Sequence, residues 1–198
     1  FRELQQSEER LVFWGSPFED ARWVRSDNIA GGKLATRTLH ERGYRKIAFV
    51  GPLETGPGQF AERFAGYREE IEALGHKPIQ ASSYPDGDRS AQGYHAAQEL
   101  LRQHDDIDAF FAASDRLAFG VLEYLQELDA RIPETFGLIG FDGMSAGTVC
   151  NPPLTTVAPE LPEAAEVLLT AAIDGEAPAS QRVGVKLVER ASVRAAPA

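Results

Sequence analysis

The sequence predicts an α/β protein: an open, mostly parallel sheet with helices on both faces. Two observations predict it. Apolar strand-like runs alternate with amphipathic helix-like runs four or five times along the 198 residues, and a parallel sheet is the economical way to close such a series. Right-handed crossovers then put helices on both faces. The second observation is the stretch 109–143, which reads strand (109–112), polar turn (113–115), helix (about 116–128) and strand (136–141). Both strands end in an aspartate, with Ser114 and Asp115 after the first and Asp142 after the second. Parallel sheets bind ligands outside the carboxyl ends of their strands, so Ser114 and Asp142 are expected at one rim.

Residues 1–10 are polar and charged and are expected to end a helix. LVFW at 11–14 is a short strand closed by the turn residues Gly15, Ser16 and Pro17, and 23–26 is a second. Asp27 or Asn28 can cap a helix that carries Leu34, Thr38 and Leu39 on its apolar face and stops at Gly43. RKIAFV at 45–50 is a buried strand, and 53–59 is a glycine- and proline-containing crossover. A helix over about 60–74 carries Phe64, Tyr67, Ile71 and Leu74 at spacings of three and four. Residues 78–83 read as a strand, and Ser90 or Asp88 caps the next helix, which runs to about 102.

After the 109–143 unit, Asn151-Pro152-Pro153 forces an extended turn. Residues 154–157 form a brief strand. A helix over 160–173 is expected to bury Leu161, Ala165, Leu168, Leu169 and Ala172. After a loop at 175–180, residues 183–188 alternate as one final strand.

Composition narrows the function. No apolar run reaches the roughly 18 residues of a membrane span, and no signal-peptide pattern opens the chain. The single cysteine, Cys150, rules out an internal disulfide framework and fits a reducing, cytoplasmic compartment. A net charge of −10 argues against a DNA-binding surface in this stretch. The chain opens with Phe1 in mid-pattern and is expected to be part of something longer.

Enzyme chemistry finds little support. His40, His76, His95 and His104 are scattered without metal-ligand spacing, and Cys150 has no histidine nearby in sequence. No phosphate loop is present, and no cofactor or metal is expected. Gly31 and Gly32 fall inside a helix, where they are expected to let it approach the sheet closely.

Several motifs now coincide in order and spacing: DNIAGG (27–32), RGYRKIAFVG (42–51), AERFAGY (61–67), FFAASDRLAFG (110–120), IPETFGLIGFDG (132–143), NPPLTTV (151–157) and LVERAS (187–192). Together they resemble the effector-binding core of the lactose-repressor/galactose-repressor (LacI/GalR) family of bacterial transcription regulators. The resemblance implies a periplasmic-binding-protein-like core of two subdomains, the C-terminal one with strand order 2-1-3-4-5. Residues 24–158 and 185–198 would form that C-terminal subdomain, and 1–23 with 159–184 the remnant of the N-terminal one. Nothing here matches the family's DNA-binding headpiece.

The resemblance also implies site residues. Arg63, in AERFAGY, would reach into the cleft and bind effector oxygens through its two-pronged guanidinium; otherwise it is a solvated arginine near a helix start. Asp142 would accept hydrogen bonds from sugar hydroxyls, or cap the short segment that follows. Gly143 stands where the family often has a second polar residue. Ser114 stands where the family usually has asparagine, and Asp115 beside it is expected to cap the helix from Arg116. Trp23 would pack on the effector or in the core, and Arg89 would face the cleft or solvent. If Arg89 does face the cleft, Arg63 and Arg89 favour an acidic or phosphorylated effector. Gly15 and Pro159 replace frequent polar residues.

The implied function is an allosteric, non-enzymatic sensor domain of a repressor. It would bind a small effector: a sugar, sugar acid or sugar phosphate, with a nucleobase ranked behind them. It would act as a homodimer and control operator DNA through a headpiece absent from this chain. The alternative is a periplasmic-type sugar-binding protein of a transporter.

Overall fold

A computed structural model describes residues 12–15, 23–53, 58–174 and 180–196. The expected helix end at 1–10, Leu11, most of the crossover at 54–57 and the loop at 175–179 lie outside the described residues.

Two sheets organise the chain. The larger is made of β3 (Ile47–Val50), β4 (Ile79–Gln80), β5 (Ala109–Ala112), β6 (Gly137–Phe141), β7 (Thr155–Pro159) and β9 (Val185–Val188), in the order β4-β3-β5-β6-β7-β9. All its pairings are parallel except β7 with β9. This is the expected 2-1-3-4-5 order with one antiparallel edge strand added. The smaller sheet pairs β1 (Phe13–Trp14), β2 (Trp23–Ser26) and β8 (Ser180–Val183), all parallel. Because β2 pairs with β8 along its whole length, residues 24–26 sit in the small sheet, and the chain first crosses to the large one at Asp27, not after residue 23.

Four helices cover the large sheet. α1 (Asn28–Glu41) packs on α2 (Gln59–Ala73), and α3 (Arg89–Gln103) packs on α4 (Asp115–Glu127). Both pairs meet through glycines. A Cβ on Gly32 would come within 2.3 Å of the Arg63 carbonyl, and one on Gly120 within 1.8 Å of the Ser90 carbonyl. Gly31 faces Phe141 of the sheet, as expected. Strands β3, β5, β6 and β7 are buried at every position, which is why they read as continuous apolar runs. Phe49, Phe111 and Tyr67 interlock in the core, with Phe49 and Phe111 ring centroids 5.4 Å apart, edge to face.

Three expectations need correction. The strand expected at 78–83 is only β4, because Glu99 takes the Ser82 backbone N–H and hydroxyl and turns the chain toward α3. The strand expected at 183–188 is two strands in two sheets. At Gly184 the chain changes sheet, with Gly184 N–H donating to Glu163 and its carbonyl accepting from Glu160 N–H. The helix α5 (Leu161–Asp174) buries Ala164 and packs Val167 and Leu168 against Val24 and Val183 of the small sheet. Leu161, Leu169 and Ile173 are instead more than 60% exposed. Among the described residues no helix is long and apolar enough to cross a membrane.

Candidate functional site

In the larger sheet β3 leads by way of α2 to β4 on one side, while β5 leads by way of α4 to β6 on the other. The gap between the carboxyl ends of β3 and β5 is therefore a topological switch point, the favoured ligand position in an open parallel sheet. A cleft of about 440 Å³ opens there. Phe60, Arg63, Ser114, Arg116, Asp142 and Met144 line it from the large sheet's rim. Trp14, Ser26 and Leu161 line it from the small-sheet side, and Pro159 lines it from the end of β7 in the large sheet. Larger cavities occur on the outer α3–α4 surface and at the opposite end of the strands. Neither gathers buried polar groups as this rim does.

Arg63 is the centre of the rim. It is 3% exposed, and every nitrogen of its guanidinium is engaged. Nε donates to Asn28 Oδ1 at 2.9 Å, Nη1 to the Ala113 carbonyl and to Asp142 Oδ1 at 3.1 Å, and Nη2 to Gln59 Oε1 at 3.4 Å. Its planar group lies 3.6 Å over the Phe141 ring, a stacking suited to guanidinium and not to ammonium. The Ala113 carbonyl is the one just past the end of β5, so the arginine spans the switch point.

Asp142 ends β6 in a backbone conformation rare for a residue with a side chain, φ +109°. Its N–H is held by the Val157 carbonyl at 2.8 Å. The side chain is 42% exposed in the cleft. Desolvation raises its pKa, and the Arg63 guanidinium pulls it back. Asp142 does not cap the 3₁₀ turn at Ser145–Thr148, which begins without a side-chain cap. Gly143 follows with φ +73°, and a Cβ there would lie 2.7 Å from that of Ala158. The second polar residue usual at this place would not fit.

Ser114 takes the capping role expected of Asp115. Ser114 caps α4, its oxygen accepting from Leu117 N–H at 3.3 Å. Asp115 turns inward, where it accepts from the Thr156 hydroxyl and from Met144 N–H, both at 2.6 Å. It is fully buried, and burial pushes its carboxyl up to about 6. The space it fills exists because residue 140 is glycine: a Cβ there would meet Asp115 Oδ1 at 2.2 Å. Asp115 thus joins α4, β7 and the turn that presents Asp142.

Arg89 is among the residues that line the cleft. It opens α3, lies 4.9 Å over the Phe60 ring and donates to Gln92. Trp23 does not line the cleft: its ring lies 3.8 Å beneath the Arg25 guanidinium. Trp14 takes the cleft position, 45% exposed.

Sequence reasoning missed Trp14, Phe60, Arg116, Gln59 and Asn28. Gln59 bridges the two sides, accepting from Arg63 and donating to the Gly15 carbonyl at 3.2 Å. Gly15, with φ +67°, leaves room for it, since a Cβ would come within 2.7 Å of Gln59 Nε2. Asn28, from the DNIAGG motif, donates to Glu62 at 2.8 Å. Glu62 also holds Arg25 of β2 at 2.9 Å and Arg182 of β8 at 2.6 Å. The motifs carried a signal for Asn28, and adjacency to AERFAGY one for Gln59 and Phe60. Nothing local marked Trp14 over Trp23.

The chain is similar to known proteins in sequence and in fold. The sequence profile of the family described as periplasmic binding protein-like domain matches residues 36–193. The transcriptional regulator CelR of Thermobifida fusca is 38% identical over 72% of this chain and 42% of its own length. The transcriptional repressor PurR of Salmonella paratyphi B is 35% identical over 94% of this chain and 56% of its own. The chain spans about half the length of these curated relatives. Among solved structures, a CelR–cellobiose complex superposes with a TM-score of 0.75 at 30% identity, covering 91% of this chain and 58% of that one. A LacI-family regulator from Enterococcus faecium with bound ribose gives a TM-score of 0.76 at 27% identity, covering 92% and 70%.

Proposed function

The chain belongs to the periplasmic-binding-protein-like family, as the effector-binding core of a LacI-type regulator, and on that premise we propose that it senses a small carbohydrate effector for a bacterial transcriptional repressor. The observation that carries this reading is the Arg63–Asp142 pair at the switch point, facing a cleft walled on its other side by Trp14, Ser26 and Leu161. Vicinal hydroxyls of a sugar both donate and accept. Asp142, 42% exposed, offers acceptors to the cleft, and the Arg63 guanidinium holds that carboxylate in place beneath it. The faces of Trp14 and Phe60 suit the apolar C–H face of a sugar ring. Two structural relatives were solved with cellobiose and with ribose, which supports a carbohydrate here.

On this reading the small sheet and α5 belong to an N-terminal subdomain, and the larger sheet is the C-terminal one. The chain passes between them at Asp27, after Pro159 and at Gly184. An effector that touches both sides has a different affinity for each relative orientation, and that difference is the coupling free energy. In a cytoplasmic homodimer the orientation would set the spacing of two DNA-binding headpieces on an operator. The relatives are named as regulators, which favours this over a transporter's solute-binding protein.

The test is operator binding by the full-length protein, read by fluorescence anisotropy while ribose, cellobiose and related sugars are titrated. A sugar that raises the melting temperature should also change operator affinity, by the 5- to 150-fold range, roughly, of allosteric couplings. A sugar that binds the cleft and leaves operator affinity unchanged would sink the sensor reading.

A further inference from the structure

Two arginines of the small sheet stand side by side. Arg25 of β2 and Arg182 of β8 are paired in register. Like charges at paired positions of neighbouring strands weaken the pairing. Each sits two residues before a crossing between the sheets, Arg25 before Asp27 and Arg182 before Gly184.

What holds them together comes from the other side of that crossing. Glu62, in the first turn of α2, sets one oxygen against both guanidiniums. Its Oε1 lies 2.9 Å from Arg25 Nη2 and 2.6 Å from Arg182 Nη2. Its Oε2 accepts from Asn28 Nδ2 at 2.8 Å. The Trp23 ring lies against the same cluster, 3.8 Å from the Arg25 guanidinium and 6.0 Å from that of Arg182. The side chains of Glu62 and Arg25 are 15% and 12% exposed, so salt and solvent screen their contact less than that of a surface pair. The amino end of α2 favours the ionised carboxylate. Arg25 Nε is buried without a hydrogen-bond partner among the described residues. An unpaired buried donor is costly, a cost that movement at this junction can release.

Among the described residues Glu62 does not line the cleft. We propose that Glu62 couples the cleft to the relative orientation of the two sheets. Through Asn28 it shares a hydrogen-bonded chain with Arg63. Through Arg25 and Arg182 it holds two of the three passages of the chain between the sheets. An effector that alters how Arg63 is held changes the grip of Glu62, and the small sheet follows. Glu62 is thus a positioning residue, and the junction it clamps is the two-state element that the cleft biases. This rests on the sensor reading above and gives that reading its transmitting residue.

The experiment compares the full-length protein with Glu62→Gln, which keeps the size and an acceptor but removes the charge. Hydrogen exchange read by mass spectrometry needs no effector. In Glu62→Gln, strands 23–26 and 180–183 should exchange at least about tenfold faster, with 109–112 unchanged. Adding Arg182→Gln removes the repulsion between the paired guanidiniums, so the double variant should recover most of the protection. Operator affinity, measured by anisotropy without sugar, should change by at least about fivefold in Glu62→Gln and return in the double variant. Whichever of ribose and cellobiose shifts operator affinity in the parent should shift it less in Glu62→Gln. Unchanged exchange at the two strands would overturn the clamp. Faster exchange at 109–112 as well would make Glu62 a residue of the fold and overturn its coupling role. Altered exchange with operator affinity and its sugar response unchanged would do the same, and in these three cases the sensor reading stands. A parent protein that binds no operator would overturn the sensor reading and this proposal together.

Discussion

Asn28 holds Arg63 in place and ties it to the other side of the molecule. Its side-chain oxygen accepts from Arg63 Nε at 2.9 Å while its amide donates to Glu62 at 2.8 Å. Glu62 grips Arg25 and Arg182 on neighbouring strands of the small sheet. The guanidinium that faces the cleft is thus three polar contacts from Arg25 of β2 and Arg182 of β8. Any change in how Arg63 is held is felt at the junction of the two sheets.

Removing this residue should be costly. Asn28→Ala leaves a buried guanidinium nitrogen without an acceptor and Glu62 without one donor. Hydrogen bonds to charged groups contribute about 1.5–3 kcal/mol each, so a loss of roughly 2–4 kcal/mol is expected in urea unfolding. Asn28→Asp restores the acceptor for Arg63 but sets a carboxylate against Glu62, so it should recover only part of the loss. An Asn28→Ala protein as stable as the parent would show that the relay is ornamental.

The helix pairs depend on bare backbone at their crossing points. Gly120→Ala and Gly32→Ala each drive a methyl into a carbonyl of the partner helix. Overpacking of this kind costs about 1–3 kcal/mol where the backbone can shift. Both should lower the melting temperature, and Gly32→Ala should also weaken effector binding, because the carbonyl it strikes belongs to Arg63. If Gly120→Ala were the more damaging to binding, the link between the α1–α2 contact and the cleft would be wrong.

Stability should fall as pH rises through the weakly acidic range. Burial raises the Asp115 carboxyl from 3.8 to about 6. Below that window both folded and unfolded chains hold the proton, and nothing is lost. Between about 4 and about 6 the unfolded chain gives it up first, so the folded state binds more protons and loses stability with rising pH. At 1.36 kcal/mol per unit the full effect is up to about 3 kcal/mol. Asp115→Asn should flatten that part of the profile. Parallel pH profiles for the parent and this variant would contradict the assignment.

The two tryptophans should report differently. Trp14 lines the cleft and Trp23 lies under Arg25. An effector stacking on the aromatic wall should change Trp14 emission. Trp14→Phe should abolish the ligand-induced signal and Trp23→Phe should keep it. The reverse outcome would restore Trp23 to the site.

Much of the rim was legible because its parts are local. The runs IAFV, AFFA and GLIGF are buried at every position, so they look the same in sequence and in the sheet. Asp142 follows one of these strands directly and Ser114 follows another by one residue, and strand ends set the rim wherever the sheet lies. The helix boundary at Gly43 was legible for a similar reason. It takes φ +89°, which glycine adopts at little cost.

What was misread depended on partners far along the chain. Ser114 and Asp115 are both good caps by residue type. Asp115 is drawn inward by the Thr156 hydroxyl and the Met144 N–H, forty-one and twenty-nine residues on, into space left by Gly140. In α5, apolar residues surround the helix, and only the position of Val24 and Val183 selects Ala164, Val167 and Leu168 over Leu161 and Leu169.

The sequence by itself therefore determined the α/β class, the strands of the large sheet and the aspartate and arginine of the rim, because apolar runs, glycine stops and motif spacing act over a few residues. Only the tertiary structure decided that 183–188 divides between two sheets, that Trp14 and not Trp23 meets the cleft, and that Arg89 and Arg116 line it with Arg63. Those outcomes turn on which elements lie side by side, and it is the packing of distant segments that brings them there.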